Sequence, residues 1–148
     1  MIIPELALSV SLNKNVILEE LPIIKNTIDT VLILRELYTK DTFLWKEEVI
    51  LLCLNMNRQI IGYHKVSLGG MTSSVLDVRT IFTVALQSLA VAIIITHNHP
   101  SGNKNPSVQD IEVTEQIKKA GDILNIPLLD HIIITQNDYY SFKSNQML

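Results

Sequence analysis

Two histidines, His97 and His99, stand two residues apart directly after the apolar run Val91-Ala92-Ile93-Ile94-Ile95. A β-branched run of this kind reads as a buried strand. Side chains at i and i+2 of a strand project from the same face, so both imidazoles can converge on one point as the strand ends. A Pro/Gly/Asn-rich loop from Pro100 to Pro106 separates them from Ser107 and Asp110, which open a helical pattern. With Asp110 in the first turn of that helix, two imidazoles and one carboxylate make a three-ligand set for a divalent metal. The natural ion is zinc, with a fourth position left to water. That is a catalytic-type donor set.

Each part taken alone has an ordinary structural explanation. A histidine pair at a strand end is commonly a hydrogen-bonded surface feature. Ser107 followed three residues later by Asp110 is close to a capping box, in which the Ser hydroxyl satisfies an orphan helix N–H; the capping and chemical roles are compatible. The conjunction of all the residues, at spacings that bring them together, favours the site. His97-Asn98-His99 also spells HNH, but the nuclease motif of that name spreads its residues over a ββα unit, so that reading is set aside.

His-x-His, seven residues, Ser, two residues, Asp resembles the metal-binding signature of the JAMM (MPN/JAB) metalloprotease superfamily. The local stretch His97-Asn98-His99-Pro100-Ser101-Gly102, with Leu129-Asp130-His131 and Tyr139-Tyr140-Ser141-Phe142, is similar to its bacterial RadC-like branch, over residues 40–143. The resemblance implies an α/β fold: a single MPN-like (JAB) domain, its mixed β-sheet flanked by helices in cytidine-deaminase-like layers. It implies Zn2+ held by His97, His99 and Asp110, and a glutamate on a neighbouring strand that deprotonates the attacking water. Counting back from the strand end at Leu54-Asn55, the family position falls on Glu47, with Glu48 one residue off; only one of the two can face the metal. Ser107 would donate to the developing oxyanion. The implied chemistry is hydrolysis of peptide or isopeptide bonds, on a peptide or protein substrate that the sequence does not identify. The alternative is a DNA repair or recombination accessory, the role traditionally attached to the RadC name. A scaffold without turnover would be expected to lose a ligand or the glutamate, and this chain retains every position.

The chain of 148 residues fits one domain, which can bury roughly 70% of its unfolded surface. Its hydrophobic content of 47% supports a well-filled core. A net charge of −3 gives no basic footprint, so the case for nucleic acid as a partner is weak. The single Cys53 excludes an internal disulfide and a Cys-rich zinc site, and reads as an inert core thiol. Neither a signal peptide nor an apolar run of membrane-spanning length is present, so a soluble cytoplasmic protein is expected. Oligomeric state is not legible.

The remaining elements must position these residues. Residues 1–25 read as an N-terminal extension packing on the domain, with an edge-strand alternation from Ile2 to Leu12 punctuated by Pro4 and Pro22. They leave no room for the helix-hairpin-helix region usual in full-length RadC-type proteins, which weakens direct DNA binding. The domain proper is expected over 26–148. A helix capped by Asn26 or Thr27 carries the stripe Ile28, Val31, Leu32, Leu34, Arg35 and Leu37. Trp45–Leu54 and Gln59–Val66 read as an antiparallel hairpin, followed by a small-residue loop around Gly69-Gly70. Asp77 caps a helix in which Val78, Ile81, Phe82, Ala85, Leu86 and Leu89 fall at helical spacing. The site helix runs from Ser107 to Leu124, with Ile111, Ile117 and Ala120 inward, and Pro127 prevents its continuation. Leu128–Thr135 is a buried strand and Tyr139–Phe142 a short last one, with a loosely held tail to Leu148. His131 is a candidate further ligand, but without a spaced partner it reads as a hydrogen-bonded core residue, and His64 reads as an ordinary hairpin residue.

Overall fold

The computed structural model describes residues 11, 17–68 and 76–148. The expected N-terminal edge strand and the Gly69-Gly70 loop lie almost wholly outside them. Among the described residues five strands form one mixed sheet: β1 (Glu48–Leu54), β2 (Ile60–Leu68), β3 (Ala92–Asn98), β4 (Leu128–Ile134) and β5 (Tyr139–Ser141), in the order β2-β1-β3-β4-β5. β1 runs antiparallel to both β2 and β3, β3 and β4 are parallel, and β5 returns antiparallel. Among the described residues three α-helices cover the sheet: α1 (Thr27–Leu37), α2 (Val78–Gln87) and α3 (Val108–Leu124). The fold is α/β, a mixed sheet layered between helices.

Alternation along the strands assigns every side chain to one of two faces. Ile50, Leu52 and Leu54 of β1 join Ile94, Ile132 and Ile134 beneath Val31, Leu34 and Tyr38 of the α1 region. Val49, Leu51 and Cys53 join Ile93 and Ile95 beneath Ile81, Phe82 and Ala85 of α2 and Ile117 of α3. Because both faces are covered, β1 and β3 are buried at every residue, which explains their nearly unbroken apolar sequence.

Several boundaries and stripes differ from the sequence pattern. β1 starts at Glu48 rather than Trp45, because residues 39–46 form turns closed by Thr42 N–H to Thr39 O and by the Trp45 and Lys46 N–H groups to Thr42 O. On α1, Asn26 is the cap and accepts from Asp29 N at 2.9 Å. Ile28 and Leu32 are each 61% exposed, since at 3.6 residues per turn they lie on the far side from Leu34. Thr30 is buried instead, its hydroxyl satisfied by Asn26 O. On α2 the Asp77 side chain accepts from Arg79 N, Leu86 is half exposed, and Leu89 lies beyond the helix at φ 56°. The tail is not loose: Met147 N donates to Phe142 O, Asn145 Nδ2 to Ser141 O, and Leu148 packs against the α2/α3 core. Residues 22–24 lie along the hairpin, where Ile60 N donates to Pro22 O and Ile24 N to Arg58 O. Among the described residues, no helix is long and apolar enough to cross a membrane.

Candidate metal centre

The centre forms where the C-terminal end of β3 meets the N-terminus of α3. β3 pairs with β1 in a register that sets His97 opposite Val49. His97 shares its face with Ile93 and Ile95, the α2/α3 side, and Glu47 precedes Val49 by two residues on that same side. α3 begins at its cap, Ser107, whose hydroxyl accepts from Asp110 N at 3.2 Å while Ser107 N and Oγ both donate to Asp110 Oδ2 at 2.7 Å. This reciprocal capping box fixes the Asp110 carboxylate over the histidines.

Glu47, His97, His99 and Asp110 each offer one ligand atom, and all four atoms lie within 4.8 Å of one another. His97 Nε2 is 2.9 Å from His99 Nε2, 3.2 Å from Asp110 Oδ1 and 3.9 Å from Glu47 Oε1, and His99 Nε2 is 3.6 Å from Asp110 Oδ2. His97 is 1% exposed, whereas the side chains of Asp110, His99 and Glu47 are 13%, 17% and 25% exposed. The cluster is therefore walled at the sheet and open toward solvent at Glu47.

Glu48 belongs to the other face. It is buried, its Oε1 lies 2.6 Å from Lys65 Nζ, and its Oε2 accepts from Thr39 N. The structure thus brings Glu47, not Glu48, to the histidines. Asn98, between them in sequence, also points away. Its Oδ1 accepts from Glu48 N at 2.7 Å, and its Nδ2 donates to Phe43 O at 2.7 Å and Lys46 O at 2.9 Å. One buried amide therefore clamps the backbone on both sides of Glu47. Ser107 is exposed and reaches the cluster through Asp110.

His131 is the hydrogen-bonded core residue that the sequence suggested, but its place behind His97 was not legible there. His131 is fully buried, stacked on Phe142 at 4.8 Å; its Nε2 is 2.8 Å from His97 Nδ1 and its Nδ1 is 2.6 Å from Thr114 Oγ1. The one available signal was Thr114 standing four residues after Asp110, one turn along the same helix face. His64 is exposed on β2, and Cys53 is buried with its thiol pushed up by that burial.

Burial opposes charge throughout the centre, and the partners decide the outcome. For Asp110 burial pushes the pKa up, but hydrogen bonds to His97, His99 and Ser107 hold it well below the usual carboxylate range. For His99 burial pushes down, and Asp110 with the Asn103 carbonyl outweighs it, leaving the imidazole raised. For His131 burial pushes down most and the neighbouring His97 adds to it, and the Asp110 carboxylate opposes them only in part, leaving the imidazole well below its ordinary value.

The donor set fits a divalent cation of borderline character. His99 Nδ1 lies 2.7 Å from Asn103 O, and a carbonyl only accepts, so that nitrogen carries the hydrogen. In its neutral form the ring then aims the bare lone pair of Nε2 at His97 Nε2 and the carboxylates. Electron pairs facing each other at these distances repel unless a cation or a proton lies among them. Imidazole nitrogens with carboxylate oxygens and no thiolate suit a first-row divalent ion, zinc and iron among them.

A mixed sheet between helices, with a His/His/Asp/Glu cluster at the end of a central strand, defines a JAB-type domain carrying a candidate metal centre. Residues 24–147 match the family described as the RadC-like JAB domain, and the chain belongs to that family. It is 43% identical over 103 residues to a UPF0758 protein of Chlorobaculum parvum, 45% over 96 residues to one of Flavobacterium johnsoniae, and 43% over 101 residues to one of Listeria monocytogenes. These matches cover 70%, 65% and 68% of this chain but only 46%, 42% and 45% of the relatives, so the chain spans about half their length.

Proposed function

We propose that this chain is a zinc-dependent hydrolase of peptide or isopeptide bonds, with a peptide or protein as its substrate. The observation that carries the reading is the convergence of Glu47, His97, His99 and Asp110 within 4.8 Å at a solvent-open strand end. Membership of a family whose wider superfamily includes metalloproteases supports it. His97, His99 and Asp110 would hold the ion. Bound there, zinc supplies a Lewis acid and lowers the pKa of water to about 7.

Glu47 is the general base. It takes a proton from the water that adds to the carbonyl carbon, and returns it to the amine nitrogen as the C–N bond breaks. Its partial exposure lets substrate and water reach it, while Asn98 keeps its backbone fixed. Ser107 meets the oxyanion with its hydroxyl. To do so, that hydroxyl turns away from Asp110 Oδ2, which still accepts from Ser107 N at 2.7 Å. The carboxylate therefore stays in place through the exchange.

The test is metal content by mass spectrometry on the purified chain and on His97→Ala/His99→Ala, followed by hydrolysis of peptide and isopeptide panels. The expected result is about one zinc per chain, lost in the double variant, with turnover strongly reduced in Glu47→Gln. Absence of bound metal after zinc reconstitution would remove the hydrolase reading. Salt-dependent DNA binding without turnover would instead favour a repair accessory role.

A further inference from the structure

We infer that Thr114 and His131 are positioning residues that fix the hydrogen pattern of His97, so that its Nε2 faces the cluster as a bare lone pair. The inference deepens the metal-centre reading and rests on it for its functional meaning. The hydrogen-bond chain begins at the main chain. Thr114 Oγ1 lies within hydrogen-bond distance of Asp110 O, and two oxygens that close need a hydrogen between them. A carbonyl cannot supply it, so the Thr114 hydroxyl donates to Asp110 O. That hydroxyl then has only lone pairs left for His131 Nδ1, 2.6 Å away, which must be the donor.

One hydrogen remains to be placed, between His131 Nε2 and His97 Nδ1 at 2.8 Å. Placed on His131, it would make a doubly protonated cation in a ring with no solvent exposure. Placed on His97, it leaves both rings neutral. The hydrogen therefore belongs to His97 Nδ1, and Nε2 is left free beside His99 Nε2 and Asp110 Oδ1. The chain runs from the main-chain carbonyl of one ligand residue, Asp110, through Thr114 and His131 to the ring of another, His97. It links α3, β4 and β3 through three buried side chains. Reversing the chain would put the hydrogen on His97 Nε2, where it would block a ligand bond. Hydrogen-bond partners of ligating histidines are known to act in this way, orienting the ring and selecting its tautomer.

The experiment uses the full chain, at 16.7 kDa within reach of NMR. Two-bond nitrogen–proton correlation of the metal-free protein reads the His97 tautomer directly. Competition against a chromogenic chelator, with zinc alone as the probe, reads affinity. We expect His97 to carry its hydrogen on Nδ1, and the near-isosteric Thr114→Val to populate the Nε2–H form. Thr114→Val and His131→Leu should lose roughly 10- to 100-fold in zinc affinity. His131→Gln, whose carbonyl can accept from His97 and whose amide can donate to Thr114, should stay closer to the parent. An Nε2–H tautomer in the parent, or Thr114→Val binding zinc as the parent does with its circular dichroism intact, overturns the inference. If the parent binds no zinc, the metal reading fails separately. The tautomer spectrum then decides the hydrogen pattern alone: Nδ1–H in the parent and altered in Thr114→Val supports it, and anything else refutes it.

Discussion

Asn98→Ala removes a side chain whose three hydrogen bonds all end on the backbone of residues 43–48. Each such bond contributes about 1 kcal/mol net, and a buried group left without a partner costs about 1–3 kcal/mol. Glu48 N is buried and lies at the costly end of that range, whereas Phe43 O and Lys46 O are nearer solvent and recover part of the loss through water. The expected destabilisation is about 3 kcal/mol, which for a chain of this size lowers Tm by roughly 6–12 °C. His97, His99 and Asp110 are untouched, so saturating zinc should stabilise variant and parent alike. At a free concentration one hundred times Kd the increment is about 2.7 kcal/mol for both. Urea unfolding with and without zinc measures both quantities. A midpoint within error of the parent would refute the idea that Asn98 clamps this loop. A full-sized destabilisation accompanied by loss of the zinc increment would refute the separation between clamp and ligands.

The two adjacent glutamates should behave as opposites. Glu47→Gln should retain zinc and lose roughly 10²- to 10⁴-fold in turnover. Glu48→Gln should retain turnover and lose about 1–2 kcal/mol by stranding Lys65, a third of which is exposed to water; the reverse pattern would mean the faces are misassigned. In the metal-free protein His131 is neutral when folded but titrates near 6.5 when unfolded, so below that pH the unfolded chain binds the extra proton. Stability should therefore fall as pH drops below about 6.5, by up to about 1.4 kcal/mol per unit, and this slope should vanish in His131→Gln. Parallel urea profiles for the two proteins from pH 5 to 7.5 would contradict that assignment. Gly121→Ala would place a Cβ 2.6 Å from Ile126 O, where the chain turns back against α3. Despite the better helix propensity of alanine, thermal unfolding should show a net loss of about 2 kcal/mol, and an unchanged Tm would show that the turn yields freely.

The sequence disclosed whatever depends on local geometry. The i, i+2 spacing of His97 and His99, the cap at Ser107 and the first-turn place of Asp110 each follow from one element's own period. The choice between Glu47 and Glu48 does not, because it turns on how β1 is registered against β3, a pairing between residues some fifty apart in the chain. His131 was legible as a buried polar residue, but its contact with His97 depends on β4 lying parallel beside β3. Neither strand announces its neighbour. The α1 stripe misled for a related reason: Ile28 and Leu32 fit a helical apolar pattern, yet the sheet selects the face of Thr30 and Leu34.

The strand order also sets a sequence of events in time. β1 and β2 are joined by a short connection and can zip early, on a microsecond scale. β3 must then close over the long segment from Asn55 to Val91 to meet β1, and β4 can join only after α3 has crossed over. A chain emerging from its N-terminal end thus displays Glu47, both histidines and Asp110 before it has made His131. Metal captured at that stage would meet a His97 ring free to present either nitrogen, so order of assembly becomes a variable of the centre. Refolding with zinc added before or after β4 docks would reveal it as a difference in the rate of reaching the native state; identical rates would show that the ion arrives only once the fold is complete.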